Sequence, residues 1–372
     1  MHKMDDLPTP SLLLDIERVR QNAERMSVVA ERNKVRLRPH VKTHKCIEVA
    51  RIQTAGHNGA ITVSTLAEAR AFARQGFSDI TYAVPIERGK FADAIEILKS
   101  GVKLNLLTDD AATVNALDDA SGKVGVRFDV FLKIDCGTHR VGVEPHTAEA
   151  VEIPRRLSDA KNLTFAGILT HAGHSYDAKT KEDILQIGRH ERDSMFELAE
   201  RLRGMSIEVP TVSIGSTPTM STIDHLDGID EIRPGNYIFF DNFQATLGSC
   251  SFEDTALTVL AAVIHRDLSR NKLVIDAGAV ALSKDRGPVG LDPGCGYGRV
   301  LDMDGNETGL RVTGLSQEHG EVDAADAFEK FAVGDRVRVL ANHSCLTAAQ
   351  HSHYYVIENG TVVDRWEIHR GW

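Results

Sequence analysis

Short runs of aliphatic and β-branched residues alternate with longer amphipathic stretches through the first two thirds of the chain, and this rhythm sets the expected fold. Eight runs read as strands: 35–41, 59–64, 79–84, 103–107, 128–134, 165–170, 209–214 and a weaker one at 230–233. Between them lie segments of helical period at 65–75, 88–100, 110–119, 147–159 and 181–203. Runs such as Val130-Phe-Leu-Lys-Ile134 are apolar on nearly both faces, as parallel strands covered by helices must be. Eight βα units predict an α/β protein with a TIM-type (β/α)8 barrel. An open doubly wound sheet would put Gly-x-Gly-x-x-Gly after the first strand. No such motif stands there.

The pattern differs at both ends. Pro10-Ser-Leu-Leu-Leu-Asp15 reads as an extra strand, followed by a helix with Val19, Ala23, Met26 and Ala30 on one stripe. Beyond residue 245 the period shortens. Runs such as Leu273-Val-Ile-Asp276, Leu310-Arg-Val-Thr313 and Arg336-Val-Arg-Val-Leu340 are separated by turns. Asn359-Gly360 between Tyr354-Tyr-Val-Ile357 and Thr361-Val-Val-Asp364 is a hairpin signal. The expectation is a barrel over 1–245 and an antiparallel β domain over 246–372, with the N-terminal strand joining the β domain.

Composition narrows the classes. The 372 residues are 42% hydrophobic and 26% charged, ordinary for a globular chain. A net charge of −10 argues against general nucleic-acid or anionic-membrane binding, though a buried site can still be locally positive. Five scattered cysteines do not suggest a disulfide framework, and no apolar run approaches a membrane span. The expected location is the cytoplasm, with a reduced interior.

Candidate chemistry collects where the barrel strands end, which is where such barrels carry their sites. Lys42, between His40 and His44 at the end of the first strand, can become a neutral amine if desolvated. Such an amine forms a Schiff base with a carbonyl such as that of pyridoxal phosphate. A lysine in a salt bridge fits the same position. After the seventh strand, Gly215, Ser216 and Thr217 offer a close backbone approach, hydroxyls and N–H groups to a phosphate. Arg140, in the loop after the fifth strand, suits either a cofactor phenolate or a structural ion pair. His171 can stack on or hydrogen-bond a cofactor ring, and His174 and Tyr176 can face substrate. The Tyr237 hydroxyl is a further phosphate contact. In the β domain, His343 and Cys345 share one side if the segment is extended, and can hold a borderline-soft ion such as zinc. Gln317-Glu-His-Gly320 is a polar turn that presents Gln317, Glu318 or His319.

Taken together, Arg38-Pro-His-Val-Lys-Thr-His44, Leu169-Thr-His-Ala-Gly173, Gly215-Ser-Thr-Pro-Thr219, Gln317-Glu-His-Gly320 and Asn342-His-Ser-Cys345 resemble fold-type III pyridoxal-phosphate enzymes. The barrel is of the alanine-racemase type, and the resemblance is to the metal-activated D-threonine aldolase and D-serine dehydratase group. It runs from Thr9 to Trp372. It implies that Lys42 bears the cofactor, that Arg140 contacts its O3′, and that Gly215, Ser216, Thr217 and Tyr237 bind its phosphate. His40 and His171 are further cofactor candidates. It implies His343 and Cys345 as metal ligands and catalytic groups, with Tyr176, His174, Gln317 and His319 toward substrate. In the group, aldolases carry His-x-Asp at the metal position and dehydratases His-x-Cys, the form present here. The expected activity is dehydration of D-threo-3-hydroxyaspartate or D-serine to a 2-oxo acid and ammonia, with zinc, manganese or magnesium, in a homodimer. Retro-aldol cleavage to glycine and an aldehyde is the alternative, and a non-catalytic pyridoxal-phosphate-binding protein is the alternative outside enzymes.

Overall fold

The computed structural model describes residues 2–372, which form two compact units. One takes the N-terminal residues through Glu24, Thr43–Val49 and Asn236–Ile368; the other takes Arg25–Lys42, Ala50–Gly235 and His369–Trp372. The chain begins with β1 (His2–Lys3), β2 (Ser11–Asp15) and α1 (Ile16–Asn33). Val19, Ala23, Met26 and Ala30, the expected α1 stripe, are all buried.

The parallel strands are β3 (Arg36–Leu37), β4 (Ile61–Val63), β5 (Asp79–Pro85), β6 (Lys103–Thr108), β7 (Phe128–Lys133), β8 (Leu163–Leu169), β9 (Val212–Ile214) and β10 (Glu231–Ile232). They pair in sequence order around a ring. β10 returns to β3 with Glu231 opposite Arg36, and a His40–Thr62 bridge joins the end of the first strand to β4. All eight expected strands are present, so the fold is a closed TIM-type barrel. The intervening helices are α2 (Ile47–Thr54), α3 (Leu66–Arg74), α4 (Phe91–Lys99), α5 (Ala111–Val124), α6 (Glu149–Asp159), α7 (Lys181–Gly204) and α8 (Thr217–Thr222). Their starts follow local chemistry. Thr65 caps α3 through the Glu68 N–H, Asp110 caps α5 through the Thr113 N–H, and Thr180 with Asp183 forms a capping box on α7.

Charge is also buried among the strands. Arg38 donates to Glu231 Oε2 at 2.7 Å and to Asp79 Oδ1 at 2.8 Å, and Asn105 donates to the same Asp79 oxygen at 3.0 Å. Burial works against the Arg38 guanidinium, but the two carboxylates hold it firmly protonated.

The long C-terminal segment of the β unit begins at Asn236, ten residues ahead of the change of pattern at 245/246. After α9 (Asn242–Leu247) it contains β11 (Leu257–Asp267), β12 (Lys272–Ile275), α10 (Ala279–Leu282), β13 (Gly298–Leu301), β14 (Glu307–Leu315), β15 (Gly320–Asp323), β16 (Arg336–Ala341), α11 (Ser344–Gln350), β17 (His353–Glu358) and β18 (Thr361–Glu367). The strands β11-β12-β15-β14-β13-β16 close on themselves, because β16 also pairs with β11. β2 lies antiparallel to β11 and parallel to β17, so the N-terminal strand is a member of this sheet. Leu7, Leu13, Leu260, Ile357 and Val362 form one of its core clusters. The β17–β18 hairpin turns on Asn359 and Gly360, both at positive φ (49° and 72°), the conformation that makes Asn-Gly a favoured two-residue hairpin loop. Among the described residues, no helix is long and apolar enough to cross a membrane.

Candidate active site

In the barrel unit, polar side chains converge just past the ends of the strands. Lys42 is half-buried in the single turn Val41–Thr43 that follows β3. The preceding His40 is buried. Its Nδ1 accepts the Lys42 N–H at 3.4 Å and its Nε2 lies 3.5 Å from Ser64 Oγ. After β8, His171 Nδ1 meets the Gly215 carbonyl at 3.3 Å. Burial, then the positive charges of Lys42, Lys133 and Arg233, hold His171 well below the ordinary imidazole range. The ring is therefore neutral at neutral pH.

Lys133, the last residue of β7, is buried and donates to the Ile134 carbonyl at 2.8 Å. Burial, helped by the charge of Arg233, pushes its amine down to about 8. Arg233, after β10, donates to Ser213 Oγ at 2.8 Å and to the Thr170 carbonyl. Burial pulls it down to about 10 against the pull of Glu231 and Glu191. Glu191, on α7, is fully buried. Its Oε1 accepts the N–H groups of Ala172 (2.9 Å) and Gly215 (3.1 Å), and its Oε2 the Thr219 hydroxyl (3.2 Å). Gly215 has φ +111°, where a Cβ would sit 3.1 Å from Met220 Cγ and 3.4 Å from the Arg233 nitrogen. Ser216 caps α8, and its hydroxyl reaches Ser175 and Thr219 at 2.9 Å each.

In the β unit, a second set surrounds His343. Its Nδ1 lies 3.0 Å from Asp285 Oδ2, which leaves Nε2 as the ring nitrogen available to a ligand. Asp285 is itself fixed, because its Oδ1 accepts the Gly287 N–H at 2.7 Å and its carbonyl accepts Asn342 Nδ2 at 3.0 Å. Burial opposes protonation of His343, but Cys345 and Asp285 outweigh it and raise the imidazole well above its ordinary range. Cys345 Sγ donates to Thr43 Oγ1 at 3.3 Å, and Thr43 is the residue that follows Lys42 in the chain. Asn236 Nδ2 approaches the same sulfur at 3.5 Å. Asp241 then ties Ser344 (backbone N–H 2.9 Å) to Asn236 (2.7 Å).

His343 and Cys345 do not share an extended strand as the sequence suggested. His343 is the residue before α11 and Cys345 lies in its first turn. The pair is brought together by helix start, not by strand alternation. Among the described residues, no group of three or more His, Cys, Asp or Glu side chains is arranged to hold a metal.

The remaining expected residues divide. His174 is half-buried, with Nδ1 3.3 Å from Thr138 Oγ1, and Tyr176 is half-buried in the same turn, Gly173–Asp177. Thr217 starts α8 and is buried, as is Tyr237 in the turn Asn236–Ile238 of the β unit. Arg140 is exposed on its loop, where its charge adds a minor push on Lys133. Gln317 and His319 are exposed at the β14–β15 turn, Gln317 donating to Glu318 at 3.1 Å. Their backbone is packed closely, since a Cβ on Gly278 would sit 2.4 Å from the Gln317 carbonyl oxygen.

Sequence reasoning missed Lys133, Glu191, Arg233 and Asp285. Glu191 left a readable trace: Ile184, Gly188, Glu191, Met195, Leu198 and Leu202 form the buried stripe of α7, and a carboxylate on that stripe needs partners.

Two domain families match the chain: "Alanine racemase, N-terminal domain" over residues 14–243 and "Putative serine dehydratase domain" over 256–357. The chain is 38% identical to D-threo-3-hydroxyaspartate dehydratase of Delftia sp. (strain HT23), over 98% of each. The solved structure of that protein superposes with a TM-score of 0.96, covering 100% of both chains. It is 36% identical to D-serine dehydratase of Dictyostelium discoideum, over 99% of this chain and 98% of the relative. It is 28% identical to D-threonine aldolase of Arthrobacter sp, over 97% and 92%. Full-length similarity in both units, with the buried cationic barrel mouth, places this chain among the fold-type III pyridoxal-phosphate enzymes, as a lyase of the group that contains the D-threo-3-hydroxyaspartate and D-serine dehydratases.

Proposed function

We propose that this protein is a pyridoxal-phosphate- and divalent-metal-dependent dehydratase of D-3-hydroxy amino acids, converting D-threo-3-hydroxyaspartate or D-serine to a 2-oxo acid and ammonia. The observation that carries the reading is the pair His343 and Cys345, with His343 braced by Asp285, in a chain similar to dehydratases over its whole length.

The residues present suit the cofactor. Lys42, Lys133 and Arg233 all act on His171, while of the buried acids Glu191 is committed to two backbone N–H groups and Glu231 is shared with Arg38. That leaves an excess of positive charge that an anionic ligand offsets. Gly215 keeps open a space that a Cβ would fill. Lys42 would hold the aldehyde, and Gly215, Ser216, Thr217 and Tyr237 the phosphate. His40, which receives the Lys42 N–H, would set that turn, with His171 against the ring. Arg140 would reach O3′. Bound pyridoxal phosphate supplies an electron sink that eases removal of the substrate Cα proton.

The donor set also suits a cation. An imidazole nitrogen and a thiolate match zinc in particular, with open positions for water or substrate. A cysteine-to-alanine variant of a D-threo-3-hydroxyaspartate dehydratase was solved in a metal-free form, which supports a metal in that enzyme. A divalent ion here supplies Lewis acidity toward a β-hydroxyl leaving group.

The chain's own part follows. Lys42 Nζ takes the Cα proton. His171, its proton affinity lowered by burial and by neighbouring cations, is a poor base for that proton. His174, Tyr176, Gln317 and His319 stand as candidate contacts to the substrate side chain. Zinc as the native ion, a homodimer and a cytoplasmic location belong to the same proposal.

Product analysis tests it. The purified protein with D-threo-3-hydroxyaspartate or D-serine should release ammonia and an oxo acid, lose this after chelation, and regain it with zinc or manganese. Glycine and an aldehyde would select the aldolase reading, which the Arthrobacter relative supports. No turnover of any D-3-hydroxy amino acid by coloured protein would select the non-catalytic one. Lys42→Ala should lose the cofactor chromophore on dialysis; a retained one would remove Lys42 from its role.

A further inference from the structure

Three features of the barrel mouth meet at one carboxylate. Glu191 projects from α7, a helix that supplies no expected cofactor contact, yet it is fully buried. It accepts hydrogen bonds from backbone N–H groups on two different loops: Ala172, directly after His171, and Gly215, in the turn after β9. Its second oxygen accepts from Thr219, whose hydroxyl also accepts the Ser216 N–H at 3.1 Å. Ser216 in turn reaches Ser175 of the first loop at 2.9 Å, and His171 meets the Gly215 carbonyl at 3.3 Å. The two loops are thus sewn together by three links, and Glu191 is the one that also anchors them to a long helix. That helix lies close: a Cβ on Gly188 would sit 3.2 Å from Ile223 Cδ1 and 3.4 Å from Thr219 Cβ.

A buried acid is an expensive way to fill space, and an apolar residue would serve packing alone. What the acid adds is an acceptor that faces two bends at once. We propose that Glu191 is a positioning residue for the cofactor phosphate, joining the His171 loop to the Gly215 turn so that the turn is preset before the phosphate arrives. This rests on the assignment of Gly215–Thr217 to the phosphate made above. Burial pushes the carboxyl upward and the two amides pull it back, in keeping with an acceptor committed to its donors.

The test compares binding of pyridoxal 5′-phosphate with binding of pyridoxal, which lacks the phosphate, to enzyme stripped of cofactor. The ratio of the two dissociation constants reads the phosphate contribution without turnover. Glu191→Gln keeps an oxygen for both N–H groups and should hold the ratio within about threefold of the original protein. Glu191→Asp is one methylene short, and Glu191→Ala has no acceptor. Both should lower the ratio by about tenfold or more, through weaker pyridoxal-phosphate binding, because buried donors are left unmet. In both, peptides over 169–176 and 212–220 should exchange amide hydrogen faster together. If Glu191→Ala does not fold, Glu191→Asp carries both measurements. A folded Glu191→Asp with an unchanged ratio and unchanged exchange would overturn the proposal, as would a Gln variant as impaired as Ala. A ratio near one in the unmodified protein would instead overturn the phosphate assignment itself.

Discussion

Replacing Asp285 with Asn isolates what a single oxygen does for the proposed metal site. Asp285 Oδ2 faces His343 Nδ1 at 3.0 Å while Oδ1 accepts the Gly287 N–H at 2.7 Å. The carboxylate therefore keeps a proton on Nδ1, so that Nε2, once it gives up its own proton, is the nitrogen that can take a metal. An asparagine can satisfy only one side. With its oxygen toward Gly287, its NH2 meets Nδ1 and drives the ring proton to Nε2, which cannot then bind a cation. With its oxygen toward His343, its NH2 opposes the Gly287 N–H, and the Asn342 bond to the Asp285 carbonyl resists any shift of the backbone. Loss of such a partner weakens metal binding about 10–100-fold, or roughly 1.4–2.7 kcal/mol. Competition against a chromophoric chelator measures it with zinc alone, no substrate or turnover being needed. Wild-type protein should bind one ion per chain and Asp285→Asn should bind it at least about tenfold more weakly. An affinity within about twofold of wild type would show that the His343 ring is set by something else.

Lys133→Met tests the buried amine. The unfolded lysine keeps its proton to about 10.5 and the folded one gives it up near 8, so the charged form costs roughly 3 kcal/mol below pH 8 and the cost fades as pH rises toward 10.5. Urea midpoints of the cofactor-free protein should therefore show a component that climbs over that window and vanishes in the Met variant; parallel profiles would refute it. Arg38→Met strands Glu231 and Asp79 in the barrel and should cost about 3–5 kcal/mol in urea unfolding, and an unchanged midpoint would refute the ion pair's role. Gly215→Ala places a Cβ against Met220 and the Arg233 nitrogen at a positive φ, and should weaken pyridoxal-phosphate retention about tenfold or more in equilibrium dialysis; wild-type retention would refute the crowding.

The barrel was legible because its signal is repeated. Strands of a parallel ring are mostly apolar on both faces, so eight runs and five intervening helical segments support one another even where a single strand, such as Glu231–Ile232, is only two residues long. The Asn359-Gly360 hairpin was legible for a different reason: two positive φ angles select those residues directly. His343 and Cys345 were found as a pair but placed on the wrong element. Spacing of two fits a strand, and nothing in Asn342-His-Ser-Cys says that a helix begins at Ser344. The helix start is fixed by Asp241, about a hundred residues earlier, which holds Ser344 through its side chain. Asp285 was invisible because it lies in a Gly- and Pro-rich stretch with no period from which a side-chain direction could be read.

Lys133 and Arg233 expose the limit of reading charge by composition. The chain carries a net charge of −10, which describes the solvated surface. The barrel mouth has the opposite sign, and its partners show why. Arg38 is answered by Glu231 and Asp79. Glu191 is the one further acid that acts on both Lys133 and Arg233, and its oxygens already receive backbone and hydroxyl hydrogens. Burial, and then these neighbouring charges, lowers the affinity of both Lys133 and His171 for a proton. Folding could have avoided that cost with apolar side chains at the same positions, which commonly stabilise a core as well or better. Buried cations with too few anions are instead what a site for a dianionic phosphate must contain beforehand, because donors already oriented spare the reorganisation that binding would otherwise require. The sequence marks such a site only as polar residues out of register with an apolar pattern: Lys133 closing a strand read as apolar on nearly both faces, and Glu191 on the inward stripe of α7.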